Sequence, residues 1–259
     1  MISLVSLLAA ALMSLQCAHS SAALIGSKNL LDNTLQPNVI TTPKKKMLKS
    51  FVSILGAPPE RARLVRGSRI ELPCEAMGHP TPTLQWLKNG EPIVDYEESA
   101  NEIMSVHPSS ITGVKSLYIV TEAASGDIYT CVATSDGIER MASTTVFVED
   151  ANDEITALEA LLQRATGPIP TYSYLEVFQE MGTSLVLPCR AYSYGKTRVL
   201  WTFNGEEVTQ ASPKMRVLPS GDLLITSLDF KDMGGYSCTV KNMYGESTTN
   251  TFVYPMSKD

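Results

Sequence analysis

Histidine is scarce, with three residues in 259, and His19 lies in the apolar N-terminal run. Only His79 and His107 remain beyond it, and neither has a motif-placed Ser or Cys nucleophile. No Cys-x-x-Cys pair occurs among the five cysteines, which argues against a zinc site. No G-x-x-x-x-G-K or G-x-G-x-x-G loop is present to cradle a phosphate. Asn-x-Ser/Thr sequons are absent, so N-glycosylation is not expected. Positive charge is not in excess: 21 Lys and Arg stand against 27 Asp and Glu, a formal net charge of −6. A nucleic-acid partner wants a basic face and is not expected. Paired acids such as Glu97-Glu98 sit in a polar stretch where solvation explains them. The expectation is a chain that is not an enzyme and has no cofactor, catalytic residue or metal.

Long apolar runs are also missing beyond the first residues. Met1 to about Ala23 is apolar from Leu4 through Leu15 and ends in small residues. That is the shape of a secretory signal, although no Lys or Arg precedes it. Cleavage is expected after Ser20, Ala22 or Ala23. The run gives way to Gln16, His19 and Ser20 short of the ~20 residues a membrane span needs. The tail, Met256-Ser257-Lys258-Asp259, carries no attachment signal. The expectation is a secreted, extracellular protein with no membrane anchor. Cys17 leaves with the signal, and four cysteines remain.

Those four fall in a repeated cassette. Gly67, Leu72-Pro73-Cys74, Trp86 and Asn89-Gly90-Glu91 recur as Gly182, Leu187-Pro188-Cys189, Trp201 and Asn204-Gly205-Glu206, each pair offset by 115 positions. Tyr129-Thr130-Cys131 and Tyr236-Ser237-Cys238 close the two units. Cys, then Trp, then Tyr-x-Cys is the pattern of an immunoglobulin sandwich. The Cys pair joins the sheets, the Trp packs on the bridge, and the Tyr makes the corner before the second Cys. The expected bridges are Cys74–Cys131 and Cys189–Cys238. In the chain-entropy model each such closure stabilises by ~4 kcal/mol. The fold class is all-β: two tandem immunoglobulin-like, intermediate-type sandwiches with a short linker.

Expected boundaries follow from composition. Residues 1–23 are the signal, and 24–50 a polar, Pro-punctuated flexible arm. Its Lys44-Lys45-Lys46 knot reads as a solvated charge run. The first domain spans 51–150, the linker 151–170, and the second domain 171–256. In the first domain, strands are expected at Arg69–Cys74, Thr83–Leu87, Ser116–Val120, Ile128–Thr134 and Ala142–Val148, with Asp95–Thr112 as a mobile loop. In the linker, Ile155, Leu158, Leu161 and Leu162 fall at helical spacing before Thr166-Gly167-Pro168. A short amphipathic helix there would pack on a neighbouring domain or fix the interdomain angle. In the second domain, Asp232-Met233-Gly234-Gly235-Tyr236-Ser237-Cys238 carries the D-x-G-x-Y-x-C signature, and Asp232 is expected to pair with Arg216. In the first domain Ser125 stands where that Asp would, so the ion pair is expected to be lost.

Exposed apolar surface is where a binder shows its site. In Asn250-Thr251-Phe252-Val253-Tyr254-Pro255 only one parity faces the core. With Thr251 and Val253 inward, Phe252 and Tyr254 face out. By the same rule Phe147 faces out beside Val146 and Val148. These three aromatics are the candidate ligand-binding residues, unless the linker or the other domain covers them.

Arg216-Val217-Leu218-Pro219-Ser220-Gly221-Asp222-Leu223-Leu224-Ile225, then Asp232-Met233-Gly234 and Thr251-Phe252-Val253-Tyr254-Pro255, resemble a known family. It is that of the insect secreted two-immunoglobulin proteins, the imaginal morphogenesis protein-late or neural/ectodermal development factor family. Nematode secreted two-immunoglobulin proteins that maintain axon position are similar. The resemblance covers both domains. It implies a secreted protein that sequesters insulin-like peptides or insulin-like growth factors and restrains insulin signalling. The alternative it implies is a neuronal adhesion or axon-maintenance factor that binds a cell-surface protein.

Overall fold

Alternating apolar and polar residues fix the strands, and the two disulfides fix which faces meet. The computed structural model describes residues 48–93, 107–150, 158, 162, 166–209 and 213–257. The expected signal, most of the arm, the greater part of the 95–112 loop and residues 151–157, 159–161 and 163–165 of the linker lie outside the described residues. Met47–Asp259 forms one compact unit that holds both sandwiches.

In the first domain one sheet has the order β2 (Arg61–Val65), β8 (Ile138–Glu149), β7 (Asp127–Ser135), β4 (Thr83–Lys88), β5 (Glu91–Pro92). Facing it are β1 (Phe51–Gly56), β3 (Ile70–His79) and β6 (Ile111–Val120). The Cys74–Cys131 bridge links β3 to β7 across the core. Trp86 lies in that core, and its indole N–H donates to Ser116 Oγ at 3.0 Å. The buried polar end of the ring is thereby satisfied.

The second domain repeats the plan. Its strands are β9 (Ile169–Glu180), β10 (Leu185–Leu187), β11 (Cys189–Tyr192), β12 (Arg198–Phe203), β13 (Glu206–Glu207), β14 (Met215–Val217), β15 (Leu223–Ile225), β16 (Gly234–Asn242) and β17 (Gly245–Met256). The Cys189–Cys238 bridge crosses this core, and Trp201 donates to the Gly221 carbonyl at 2.9 Å. Tyr236 makes the corner, its hydroxyl donating to the Asp232 carbonyl at 2.8 Å. Burial pushes its phenol pKa up, and Asp232 adds to the effect. At Pro188 the chain changes sheets: β10 pairs with β15 and β11 with β9, whereas the equivalent Pro73 lies within the unbroken β3. Both domains turn from β4 to β5, or from β12 to β13, through Asn-Gly. Asn89 and Gly90 have φ of 52° and 88°, Asn204 and Gly205 of 49° and 87°. Two successive positive φ values favour this dipeptide in a tight hairpin.

The two domains share a sheet. β6 pairs antiparallel with β9, giving a nine-stranded sheet along β1-β3-β6-β9-β17-β16-β12-β13, with β11 also on β9. The shared segment explains why β6 begins at Ile111 and not at Ser116. Ile111, Thr112 and Gly113 find their partners in Phe178, Val177 and Glu176 of the other domain. Thr112, Val114, Tyr174 and Val177 are buried along this seam. The interdomain angle is therefore set by strand pairing. In the linker, Leu158 and Leu162 are helical and exposed, and by Ile169 the chain has entered β9.

One expectation about charge is corrected. Asp232 pairs with Lys214 at 2.6 Å, not with Arg216. Arg216 sits opposite Leu224, one pair further into β14 than Met215 opposite Ile225, whereas Lys214 lies just before that strand. Two residues of strand are ~6.6 Å, which carries Arg216 away from the acid. In the first domain Ser125 carries no such pair, and a different one stands two residues on, at the signature's Gly position: Asp127 is 3.0 Å from Lys88 and accepts from Asn89 Nδ2 at 2.9 Å and the Ala124 N–H at 2.8 Å.

Candidate binding face

The outer face of the nine-stranded sheet is a continuous surface over both domains. On β17, the core takes Thr251 and Val253 and leaves Phe252 and Tyr254 outside, 48% and 41% exposed. Register then assigns their neighbours. Phe252 stands beside Glu176 on β9, which stands beside Gly113 on β6, which stands beside Met77 on β3. Tyr254 stands beside Phe178, which stands beside Ile111. The Phe178 and Tyr254 rings are 5.7 Å apart and tilted, a favourable aromatic contact.

Glycine shapes the surface. Gly235 on β16 lies on the far side of Phe252, and a Cβ there would meet nothing within 4 Å. Gly113 lies on the other side of Glu176. Phe252 thus has a bare strand at Gly235 on one side and the Glu176 side chain on the other, with Gly113 buried beneath Glu176 and Leu175. An apolar knob beside low ground, with one carboxylate at Glu176, suits a partner with a small apolar ridge and a cation or N–H donor nearby.

The support behind this face is rigid. Thr251 Oγ1 donates to the Tyr174 carbonyl at 2.6 Å, and Ser173 Oγ and Thr249 Oγ1 are 2.9 Å apart. These bonds tie β9 to β17 directly beneath the aromatics. Burial raises the Tyr174 phenol pKa, with Asp222 adding, so the ring stays neutral in the core. Further along β17 and β16 the face turns polar: Ser237 bonds Asn250 at 2.7 Å, and Thr239 and Thr248 are 2.8 Å apart.

Phe147 lies elsewhere. It is on β8, in the opposite sheet of the first domain, with the Arg61 guanidinium 5.8 Å from its ring centre. It does not extend the Phe252 and Tyr254 surface. Sequence reasoning missed Phe178, which joins the face through the parallel pairing of β9 with β17 inside the second domain, and Ile111 and Met77, which reach it through pairing between the domains. The histidines serve structure: His79 Nδ1 is 2.9 Å from the Ser110 carbonyl, and His107 Nδ1 is 2.7 Å from Ser109 Oγ. Among the described residues no His, Cys, Asp or Glu group is placed to hold a metal ion, and no helix is long and apolar enough to cross a membrane.

Known proteins match in the same terms. The immunoglobulin domain family matches residues 53–135, and the immunoglobulin I-set domain family matches residues 174–254. Neural/ectodermal development factor IMP-L2 of Drosophila melanogaster is 28% identical over 235 residues, covering 90% of this chain and 87% of that protein. Zwei Ig domain protein zig-3 of Caenorhabditis elegans is 29% identical over 238 residues, covering 89% of this chain and 88% of that protein. The crystal structure of neural ectodermal development factor IMP-L2 superposes with a TM-score of 0.66 at 27% identity, over 82% of this chain and 97% of that one. Matched domain by domain over both sandwiches, the chain belongs to the immunoglobulin family, and it is similar along nearly its whole length to two-domain relatives such as IMP-L2 and zig-3.

Proposed function

We propose that the chain is a secreted binding protein that sequesters insulin-like peptides or insulin-like growth factors and so restrains insulin signalling. The observation that carries this reading is the aromatic band of exposed Phe252 and Tyr254 and half-buried Phe178 on a sheet that both domains share. Insulin-like hormones are small helical proteins with apolar patches, and such a patch needs a firm, partly apolar floor. A floor built from ladder hydrogen bonds needs little ordering on binding, which favours affinity. The similarity to IMP-L2 along both domains supports the same reading. No reaction is needed: capture alone lowers the free hormone.

Isothermal titration of the purified chain with an insulin-like peptide and an insulin-like growth factor tests it. Saturable binding at one hormone per chain is expected. No heat and no complex on a sizing column, with the chain folded and both disulfides intact, would remove the hormone from the reading.

A further inference from the structure

Edges of sheets invite other chains, and most edges here are guarded. β13 is Glu206-Glu207, β5 is Glu91-Pro92, and β2 carries Arg61 and Arg63. β10 and β14 are three residues each, and β14 carries Arg216. Charge, proline and shortness are the usual defences of a strand edge. β1 has none of them. Phe51-Val52-Ser53-Ile54-Leu55-Gly56 is six residues without charge or proline, with β3 on one side and no strand on the other among the described residues. Its single irregularity is the bulge at Leu55, which turns that side chain into water at 60% exposure. Phe51 is 36% exposed.

We propose that β1 is a self-association edge, pairing antiparallel with β1 of a second copy about a two-fold axis through Ser53. The sequence is self-complementary about that point. Phe51 meets the partner's Leu55, outward apolar against outward apolar. Val52, which faces the core, meets the partner's Ile54, which is half-buried on the same side. A shift of one residue would put opposite faces together. Moving the axis to Val52 would set Leu55 against the partner's Lys49. Charge also matches in this register. Exposed Lys49 passes toward the partner's Glu75, which stands opposite Gly56. The Glu75 carboxylate bridges two directions: Oε1 is 3.2 Å from Lys115 on β6, and Oε2 lies 3.4 Å from where a Gly56 Cβ would sit, on the edge side, where Lys49 of a second copy would add a second cation. The pair forms twice across the axis, and no like charges face each other. An interface in which one patch serves both copies closes on itself and does not grow into a fibre. The axis is perpendicular to the sheet, so the outer faces of both copies lie on the same side.

Sedimentation equilibrium of the full secreted chain from about 1 to 100 μM tests this, a range that brackets micromolar association. A monomer–dimer equilibrium is expected. Ser53→Lys and Ser53→Glu oppose like charges at the axis, and each raises the dimer dissociation constant at least tenfold. Mixed together, the two variants form a one-to-one dimer again. Leu55→Asp, at an exposed side chain, weakens the dimer without touching the core, and melting curves confirm that each variant is folded. A wild-type chain that stays monomeric throughout overturns the proposal. So does a dimer that Ser53→Lys, Ser53→Glu and Leu55→Asp leave intact, or a mixture that fails to reassociate.

Discussion

Gly113 of the first domain and Glu176 of the second stand opposite each other in adjacent strands of one sheet. The pairing continues to Ile111 with Phe178 on one side, and past a bulge to Ser116 with Tyr172 on the other. Neither β6 nor β9 can leave this ladder without exposing backbone N–H and C=O groups from the seam. The two sandwiches should therefore unfold together. Urea unfolding followed by fluorescence of Trp86 in a Trp201→Phe chain, and of Trp201 in a Trp86→Phe chain, checks it. Coincident midpoints are expected after correction for each substitution's own cost. Two well-separated transitions would mean that the seam is weaker than either core.

Asp127 makes part of the stability depend on acid. Its pKa is lowered from 3.8 to about 2 by the Asn89 side chain first, then the Ala124 N–H and Lys88. A carboxylate depressed in the folded state stabilises fully above its unfolded pKa, and that stability is lost as pH falls through the folded value. The window is therefore about pH 4 down to pH 2, worth at most about 2 kcal/mol. Asp127→Asn should be less stable than the wild-type chain at pH 6, and the gap should close by pH 2. Urea midpoints across that range measure it, and a constant gap would contradict the assignment.

Lys214 and Arg216 differ in a testable way. Asp232 is buried, accepts the Asp229 N–H at 2.7 Å, and has Lys214 at 2.6 Å. Lys214→Met leaves that carboxylate without its cation and should destabilise by about 1–2 kcal/mol, more than an exposed pair would. Arg216→Met, at an exposed side chain, should stay within about 0.5 kcal/mol. Thermal melts of both variants at neutral pH decide, and the reverse ranking would restore Arg216 as the partner.

The fold was readable because its determinants are local and repeated. Cys, Trp and Tyr-x-Cys lie within each domain at spacings set by strand length, and the Asn-Gly turns mark where strands reverse. Parity along β17 likewise follows from a period of two, which orients Phe252 and Tyr254. The seam was not readable. Pairing of β6 with β9 depends on register between distant segments, and nothing in Ile111–Gly113 or Glu176–Phe178 names its partner. That is why Ile111 was absent from the expected face; Phe178 was absent because the parallel pairing of β9 with β17 is equally non-local, and Phe147, with equally good parity, was placed with the face for want of any register. The expected Asp232–Arg216 pair failed for a similar reason. A signature position fixes the acid, but strand rise decides whether the cation comes from Lys214 or from Arg216.

Phe252 is the sharpest test of the binding face. Nearly half of it is in water, while Thr251 and Val253 on either side are buried. Its ring therefore contributes little to the core, and Phe252→Ala should leave the melting temperature nearly unchanged. In a complex the same ring would be covered, and truncating a central aromatic anchor costs ~2 kcal/mol or more. That is at least a tenfold rise in the dissociation constant for an insulin-like peptide. Tyr254→Ala should act in the same direction, since its ring lies against Phe178 in the same band. Phe147→Ala is the control: it sits on the other sheet beside Arg61, and its removal should leave hormone affinity alone. Titration of the three variants with one peptide, each paired with a melting curve, gives the answer. Unchanged affinity in Phe252→Ala would take the residue out of the site. Lost affinity in Phe147→Ala alone would move the site to the opposite face of the first domain.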